Sequence, residues 1–232
     1  MEPNAILLIL VGLFVTSVIV YAIKPLPMTK NIFIGTAIIS FLYCFYMKYV
    51  EMSSRSKSEP VLISGAHNGK KRLVLKSSKF KMSSKDYEYS LSFWFKVNGW
   101  NYRYGSQKVL LNKSNSPKIY LDSFRPNLII NQAVYDPESE SKGKTERIII
   151  DTVPIQKWTH FFMIIRNKRV SVFLNGELVK GYVLTHMPWI QKGKMIVSDE
   201  HGFDGIIAHM KYYNRSATYD DVSWEYNINK PE

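Results

Sequence analysis

The sequence predicts an all-β fold, an antiparallel β-sandwich, that follows a transmembrane α-helical hairpin. Two runs of uncharged, mostly apolar residues occupy much of the first fifty positions. From residue 61 onward, apolar and polar residues alternate over short stretches separated by Gly, Pro, Asn and Ser clusters, a pattern typical of strands. The remaining length of about 175 residues is enough for one sandwich domain and leaves no room for a second.

The N-terminal domain, residues 1–50, is predicted to contain two transmembrane helices. The run at residues 5–23 has 19 residues and no charge, and a helix of that length reaches about 28 Å, close to the thickness of a bilayer core. The second uncharged run covers residues 32–47, and the two prolines and the lysine of residues 24–28 favour a tight turn between the runs. A cleavable signal peptide is the alternative for the first run, but no basic residue precedes that run.

A basic stretch follows the apolar runs. Residues 51–60 are polar, rich in serine and closed by a proline, so we predict a linker there and a sandwich over residues 61–232. Residues 48–118 contain 15 basic and 4 acidic side chains, whereas residues 119–232 contain 14 of each. Such a stretch attracts anionic lipid headgroups, and we expect no nucleic-acid partner because no recognition motif is present. The predicted membrane-surface basic patch consists of Lys48, Arg55, Lys57, Lys70, Lys71 and Arg72.

The single cysteine, Cys44, lies in the second apolar run, so no disulfide can stabilise the sandwich. Domains that fold in an oxidising compartment often contain disulfides, and their absence favours the cytosolic side. The basic residues after the second run favour the same side slightly. We therefore predict an integral membrane protein with two spans, whose sandwich faces the cytosol or lies between membrane and capsid in a virion.

The alternation is clearest in residues 87–97, where the odd-numbered residues are apolar and most even-numbered ones are polar, as in a half-buried strand. Residues 166–169 and the pair Asn175-Gly176 read as hairpin turns, because asparagine and glycine tolerate a positive φ, so three successive strands should form a meander. No soluble helix is predicted, and residues 213–221 read as a last strand leading into a capped turn. Other predicted strands are residues 72–75, 108–111, 119–121, 127–130, 147–150, 159–166, 169–174, 195–197 and 205–213.

Four ordered motifs resemble the laminin-G-like branch of the concanavalin A-like lectin and glucanase superfamily. They are SLSFWFKV (90–97), VLLNKS (109–114), WTHFFMIIRNKRVSVFLNGELVK (158–180) and FDGIIAHMKYYNRSATYDDV (203–222). The resemblance implies a jelly-roll sandwich over about residues 61–227, with Trp158 in its interior. Glucanases of this fold use carboxylates spaced as Glu-x-Asp-x-Glu or Glu-x-Asp-x-x-Glu. That spacing is absent from the sequence, so we predict a protein that is not an enzyme.

Two kinds of ligand follow from the resemblance as expectations. Relatives bind calcium through loop oxygens, and the weak candidates here are Asp122, Asp199 and Asp204, with Glu200 beside them. Otherwise we expect no cofactor, and the histidines lack zinc-ligand spacing. Aromatic side chains in turn-rich stretches could stack on a glycan or mark a protein interface, and the candidates are Trp100, Tyr102, Tyr104 and Trp189.

These observations predict a membrane-anchored, non-enzymatic structural or interaction protein. A cytosol-facing sandwich fits a minor capsid component that ties a shell of other structural proteins to the internal membrane of a large DNA virus. This hypothesis rests on an architectural analogy and on no sequence motif. The alternative is a membrane-displayed, glycan-binding adhesion module. That alternative predicts a lumenal domain glycosylated at Asn112 or Asn214.

Overall fold

The structure is a computed structural model that describes residues 34–35, 38–50, 59–80, 87–114, 116–138, 143–190 and 193–231. The chain divides into two units, Met1–Lys57 and Ser58–Glu232.

In the N-terminal unit, residues 38–50 are helical. The side chains of Ile38, Phe41 and Phe45 are more than half exposed. Within the described part of the chain, no helix is both long and apolar enough to cross a membrane. The predicted span at residues 5–23 lies outside the described residues, so the two-helix anchor stays a prediction.

The second unit is an antiparallel sandwich of two six-stranded sheets. Sheet A has the strand order β1-β12-β3-β8-β9-β10, and sheet B has the order β2-β11-β4-β5-β6-β7. This arrangement confirms the predicted all-β sandwich and is consistent with a jelly roll. The strands are β1 (Val61–Asn68), β2 (Leu73–Leu75), β3 (Glu88–Val97), β4 (Lys108–Lys113), β5 (Lys118–Leu121), β6 (Leu128–Tyr135), β7 (Gly143–Ile150), β8 (Trp158–Arg166), β9 (Arg169–Leu174), β10 (Glu177–Val183), β11 (Met195–Val197) and β12 (Gly205–Tyr213).

The main core fills the space between the two sheets. Side chains that alternate along each strand meet there and are removed from water, which stabilises the fold by about 1.5–3 kcal/mol for each large apolar side chain. Trp158, which the resemblance placed in the interior, is instead half-buried and lies on the outer side of β8. Fully buried members of the core include Phe93, Phe95, Leu110, Leu111, Ile119, Leu128, Phe161, Met163, Val172, Phe203 and Met210.

The meander of β8, β9 and β10 confirms the predicted hairpins. The three strands are neighbours in sheet A, and the turn between the last two contains Asn175 at φ 52° and Gly176 at φ 83°. Both residues have the positive φ that such a turn requires.

A C-terminal helix, Tyr219–Ile228, corrects two predictions. The sequence predicts only a capped turn after β12, and it predicts that β3 is half-buried. In the structure the outward-facing Ser92 and Trp94 of β3 are also buried, and Trp94 stacks on Tyr226 of the helix with ring centres 5.7 Å apart. The helix thus gives sheet A a second, aromatic core on its outer face.

Candidate interaction site

Four loops meet at one end of the sandwich, and backbone hydrogen bonds tie them together. The amide of Asn98 donates to the carbonyl of Asp204 over 2.8 Å, and the amide of Gly105 donates to the carbonyl of Ser123 over 3.3 Å. We call this region the loop end. Its loops are residues 69–72, 98–107, 122–127 and 198–204.

Asp199 connects the 69–72 loop to strand β4. Its carboxylate accepts a hydrogen bond from Arg72 Nε at 3.0 Å and from Asn112 Nδ2 at 2.9 Å. Burial works to raise the pKa of Asp199, but the hydrogen bonds from Arg72, Asn112 and the Glu200 backbone outweigh it and lower the pKa. The predicted glycosylation acceptor Asn112 is therefore buried and bonded within the folded domain.

Lys70 forms the second link across the loop end. Its ammonium lies 2.9 Å from Asp204 Oδ1 and 4.8 Å from the centre of the Tyr102 ring. The Tyr102 hydroxyl donates to the carbonyl of His201 over 3.2 Å. Two residues of the predicted basic patch, Lys70 and Arg72, thus pair with two of the predicted calcium ligands.

The third calcium candidate, Asp122, accepts a hydrogen bond from the Ser123 amide at 2.6 Å. Among the residues that the structure describes, no group of three or more His, Cys, Asp or Glu side chains could hold a metal ion. Calcium binding stays a prediction, although Asp199 and Asp204 already have cationic partners.

The predicted basic patch is distributed along the chain. Lys48 is exposed in the N-terminal unit, and Arg55 and Lys57 lie outside the described residues. Residues 70–72 are exposed and follow the C-terminal end of β1. The eight residues of β1 cover about 26 Å, which separates residues 70–72 from Val61 at the start of the strand. These three residues therefore lie at the loop end, away from the point where the chain enters the sandwich.

Trp100 and Tyr102 are half-buried rather than displayed on the surface. Trp100 packs against the main core, and the ammonium of the buried Lys108 lies 4.8 Å from the centre of its ring. Burial lowers the pKa of Lys108 and the charge of Asp122 opposes that shift. These two aromatic side chains support the loops from within.

Tyr104 and Phe124 form an exposed aromatic pair. Their side chains are 65% and 63% exposed, and their rings meet edge to face with centres 5.5 Å apart. Exposed arginines, Arg103 and Arg125, precede Tyr104 and follow Phe124. We call these four residues the aromatic tip. The sequence analysis identified Tyr104 as a candidate but not Phe124. The position of Phe124 within the turn-rich stretch SFRPN (123–127) could have indicated an exposed aromatic residue.

Backbone geometry also marks the loop end. Ser198, Glu200 and His201 all have a positive φ, of 55°, 50° and 72°. Residues other than glycine adopt such conformations at an energetic cost, and they are concentrated at functional sites. The hydrogen bond from the Tyr102 hydroxyl to the carbonyl of His201 ties this loop to the 98–107 loop.

Trp189, the fourth aromatic candidate, lies at the opposite end of sheet B. Its amide donates to the carbonyl of Ala133 over 2.8 Å, and its carbonyl accepts from Ser116 Oγ at 3.1 Å. The ring packs against Gly143 of β7. The structure therefore brings together three of the four predicted aromatics and separates the fourth.

A serine-histidine pair occurs on the outer face of sheet A. Ser92 Oγ and His160 Nε2 are 2.9 Å apart, but His160 is 0% exposed beneath the C-terminal helix, where its ring lies 6.0 Å from that of Tyr226. Burial lowers the pKa of His160 to about 3. The pair is inaccessible to a substrate, so His160 is a structural residue.

Solved structures of toxin binding domains share the sandwich. The receptor-binding domain of botulinum neurotoxin D aligns with a TM-score of 0.52 at 14% identity, covering 71% of this chain and 42% of the solved chain. The binding domain of botulinum neurotoxin DC in complex with rat synaptotagmin II aligns with a TM-score of 0.53 at 12% identity, covering 74% and 46%. This chain thus spans less than half of each solved chain, and the likeness concerns the fold.

Sequence comparison assigns the family. No curated protein matches the chain significantly. A laminin G family model, described as the concanavalin A-like lectin/glucanases superfamily, matches residues 67–223, which is more than half of the chain. The match spans the interval from the end of β1 to the C-terminal helix and includes the loop end. The chain therefore belongs to the concanavalin A-like lectin/glucanases superfamily.

Proposed function

We propose that the sandwich is a non-enzymatic binding module that recognises a protein partner through its aromatic tip. The observation that carries this proposal is the pairing of Tyr104 and Phe124, both almost two-thirds exposed and in contact across two loops. Aromatic side chains and arginine are the residue types that contribute most to binding at protein interfaces. Arg103 and Arg125 supply the second of these types.

The aromatic tip is organised before any partner binds. The hydrogen bond from Gly105 to Ser123 connects its two loops, and further bonds within each loop fix the backbone. Loops that are already ordered lose little conformational entropy on association, so more of the contact energy becomes affinity. This property favours a recognition surface over a solvated turn.

The relatives support an interaction role in general terms. The fold is that of toxin receptor-binding domains, one of which was solved in complex with rat synaptotagmin II. A family whose sandwich binds other molecules fits a module of this kind. No comparison supports the more specific role of a minor capsid component, and that role stays a prediction from the sequence.

Membrane attachment is a second part of the proposal. The uncharged runs at residues 5–23 and 32–47 support it, as do the exposed apolar side chains within residues 38–50. We expect the full chain to remain in the membrane fraction after alkaline carbonate extraction, and its sandwich to be digested by protease added outside sealed microsomes. Release by carbonate would contradict the anchor, and protection from protease would contradict the cytosolic orientation.

Glycan binding is the second candidate function, because the exposed ring of Tyr104 could stack on a sugar. Trp100 and Tyr102 are less suitable, since both are half-buried beside lysine side chains. A glycan array probed with the full chain and with Tyr104→Ala separates the two functions. Selective sugar binding that the variant loses would favour the glycan.

Site-specific cross-linking tests the proposed protein interface. A photoreactive amino acid is placed at Tyr104 or, as a control of matched exposure, at Trp224 of the C-terminal helix, which is 63% exposed. In cells that make the protein, we expect a discrete protein adduct from position 104 that Phe124→Ala abolishes, and no such adduct from position 224. Equal adducts from both positions would contradict an interface at the aromatic tip.

A further inference from the structure

A basic pocket lies at the turn between β8 and β9. It is an open concavity of about 380 Å³, within the size range of small-molecule sites of roughly 300–1,000 Å³. Among the residues that the structure describes, three of the lining side chains are cationic and none is acidic. The lining residues are Arg166, Asn167, Lys168, Arg169 and Val183.

Within the described part of the chain, the positive charge of this basic pocket is largely uncompensated. Arg166 Nε lies 3.8 Å from Glu88 Oε1, which is a long ion pair, and the Arg166 side chain is 73% exposed. Lys168 Nζ donates to the carbonyl of Thr185 over 2.9 Å, so its partner is neutral. The ion pairs found within the described residues do not include Arg169.

The turn itself does not require these charges. A tight hairpin turn needs a residue that tolerates a positive φ, and Asn167 at φ 54° meets that need. Cationic side chains on three of four consecutive positions repel one another, which is unfavourable without an anion. Val183, 68% exposed, adds an apolar wall on the neighbouring strand.

The basic pocket lies at the end of the sandwich where the chain enters. β8 starts at the loop end, where Trp158 pairs with Lys96 near the end of β3, and it finishes at Arg166. β1 starts at the same end of the sandwich at which β8 finishes, because Val61, its first residue, pairs with Lys211 near the end of β12. The basic pocket and the aromatic tip are therefore at opposite ends of the domain.

We propose that this basic pocket binds a phosphate-bearing ligand of small-molecule size, either the phosphorylated headgroup of an anionic lipid or the same group free in solution. A phosphate monoester carries a charge of about −1.5 to −2 at neutral pH and has three strong acceptor oxygens. Arginine matches such oxygens with two parallel donors, and lysine adds a point charge. The proposal goes beyond partner recognition at the aromatic tip and does not depend on it.

The test measures binding of the full chain in detergent to inositol trisphosphate by calorimetry. The pocket variant is Arg166→Gln/Lys168→Gln/Arg169→Gln, and the control is Lys76→Gln/Lys79→Gln/Lys157→Gln, which removes three charges at exposed positions outside both the pocket and the predicted basic patch. We expect the pocket variant to lose affinity about tenfold or more and the control to stay within about twofold of the parent. Circular dichroism establishes that both variants are folded.

Vesicles distinguish the two sources of phosphate. The full chain is reconstituted in nanodiscs and mixed with phosphatidylcholine vesicles with and without phosphatidylinositol bisphosphate. Vesicle binding that needs the phosphoinositide and is lost in the pocket variant identifies a lipid headgroup as the ligand. Binding of inositol trisphosphate without vesicle binding identifies a free ligand. Both results support the basic pocket as a phosphate site. Equal losses in the two variants, or no binding of either probe by the parent chain, would overturn the proposal.

Discussion

His160 shows how burial sets the chemistry of a single side chain. The imidazole is 0% exposed beneath the C-terminal helix, and its Nδ1 has no hydrogen-bond partner among the residues that the structure describes. A cationic ring in this place would lose its hydration without gaining a carboxylate, so burial lowers the pKa of His160 to about 3. The ring therefore stays neutral and packs as an aromatic residue.

This pKa predicts a dependence of stability on pH. The unfolded chain protonates His160 below its ordinary pKa of 6.5, whereas the folded chain does so only near pH 3. Stability is thus retained above pH 6.5 and lost as the pH falls toward 3, by about 1 kcal/mol per pH unit. Between pH 6.5 and 5, urea unfolding of the full chain should show a loss of about 1–2 kcal/mol more than the variant His160→Asn. The same pH slope in both proteins would show that His160 does not contribute.

Single residues of the loop end were only partly predictable from the sequence. Tyr104 could be identified because turn-rich sequence places it on the surface. Its contact with Phe124 could not, since a strand hairpin separates them and sequence patterns report only local structure. Lys70 and Asp204 form an ion pair although they lie 134 positions apart in the sequence. The sequence alone therefore indicates two independent sites, the basic patch and the calcium candidates.

At the scale of elements, the C-terminal helix is the main difference from the prediction. Its apolar pattern is weak, because Tyr219 and Trp224 are exposed while Glu225 is buried. A ten-residue helix is marginal alone and depends on packing and capping. Thr218 and Asp221 form a capping box, although the threonine-x-x-aspartate pattern alone predicts only a capped turn. The strands were predictable because alternation over a pleated surface is a direct consequence of strand geometry.

The capping box predicts that two neighbouring aspartates contribute differently to the free energy of unfolding. Asp221 accepts hydrogen bonds from Arg215 Nη1 at 2.8 Å and from the Thr218 amide at 2.8 Å. Burial favours a higher pKa, but these bonds outweigh it and lower the pKa of Asp221 to about 2. Asp221→Asn should reduce the free energy of unfolding by about 1–2 kcal/mol, and the exposed Asp220→Asn by less than about 0.5 kcal/mol.

Tryptophan fluorescence during urea unfolding measures both changes, because Trp94 lies under the helix. The Asp221 contribution is present above pH 3.8 and is lost as the pH falls toward 2. If both variants unfold at the same urea concentration as the parent chain, the capping box does not stabilise the helix.

At the scale of the whole molecule, the sandwich has two distinct ends. The loop end carries the aromatic tip, and the opposite end receives the chain at Val61 and carries the basic pocket at residues 166–169. The all-β sandwich was predictable from local patterns, whereas this polarity depends on strand order.

The affinity of the full chain for the protein cross-linked at position 104 tests the central claim most directly. The variant Tyr104→Ala/Phe124→Ala removes the aromatic pair, and Tyr219→Ala/Trp224→Ala removes two rings of matched exposure from the C-terminal helix. Loss of two central aromatic contacts should weaken binding by about thirtyfold or more, since each such residue contributes about 1–2 kcal/mol or more. We expect that loss for the first variant and a loss of less than about threefold for the second. Parent-like affinity in a folded Tyr104→Ala/Phe124→Ala variant would contradict it.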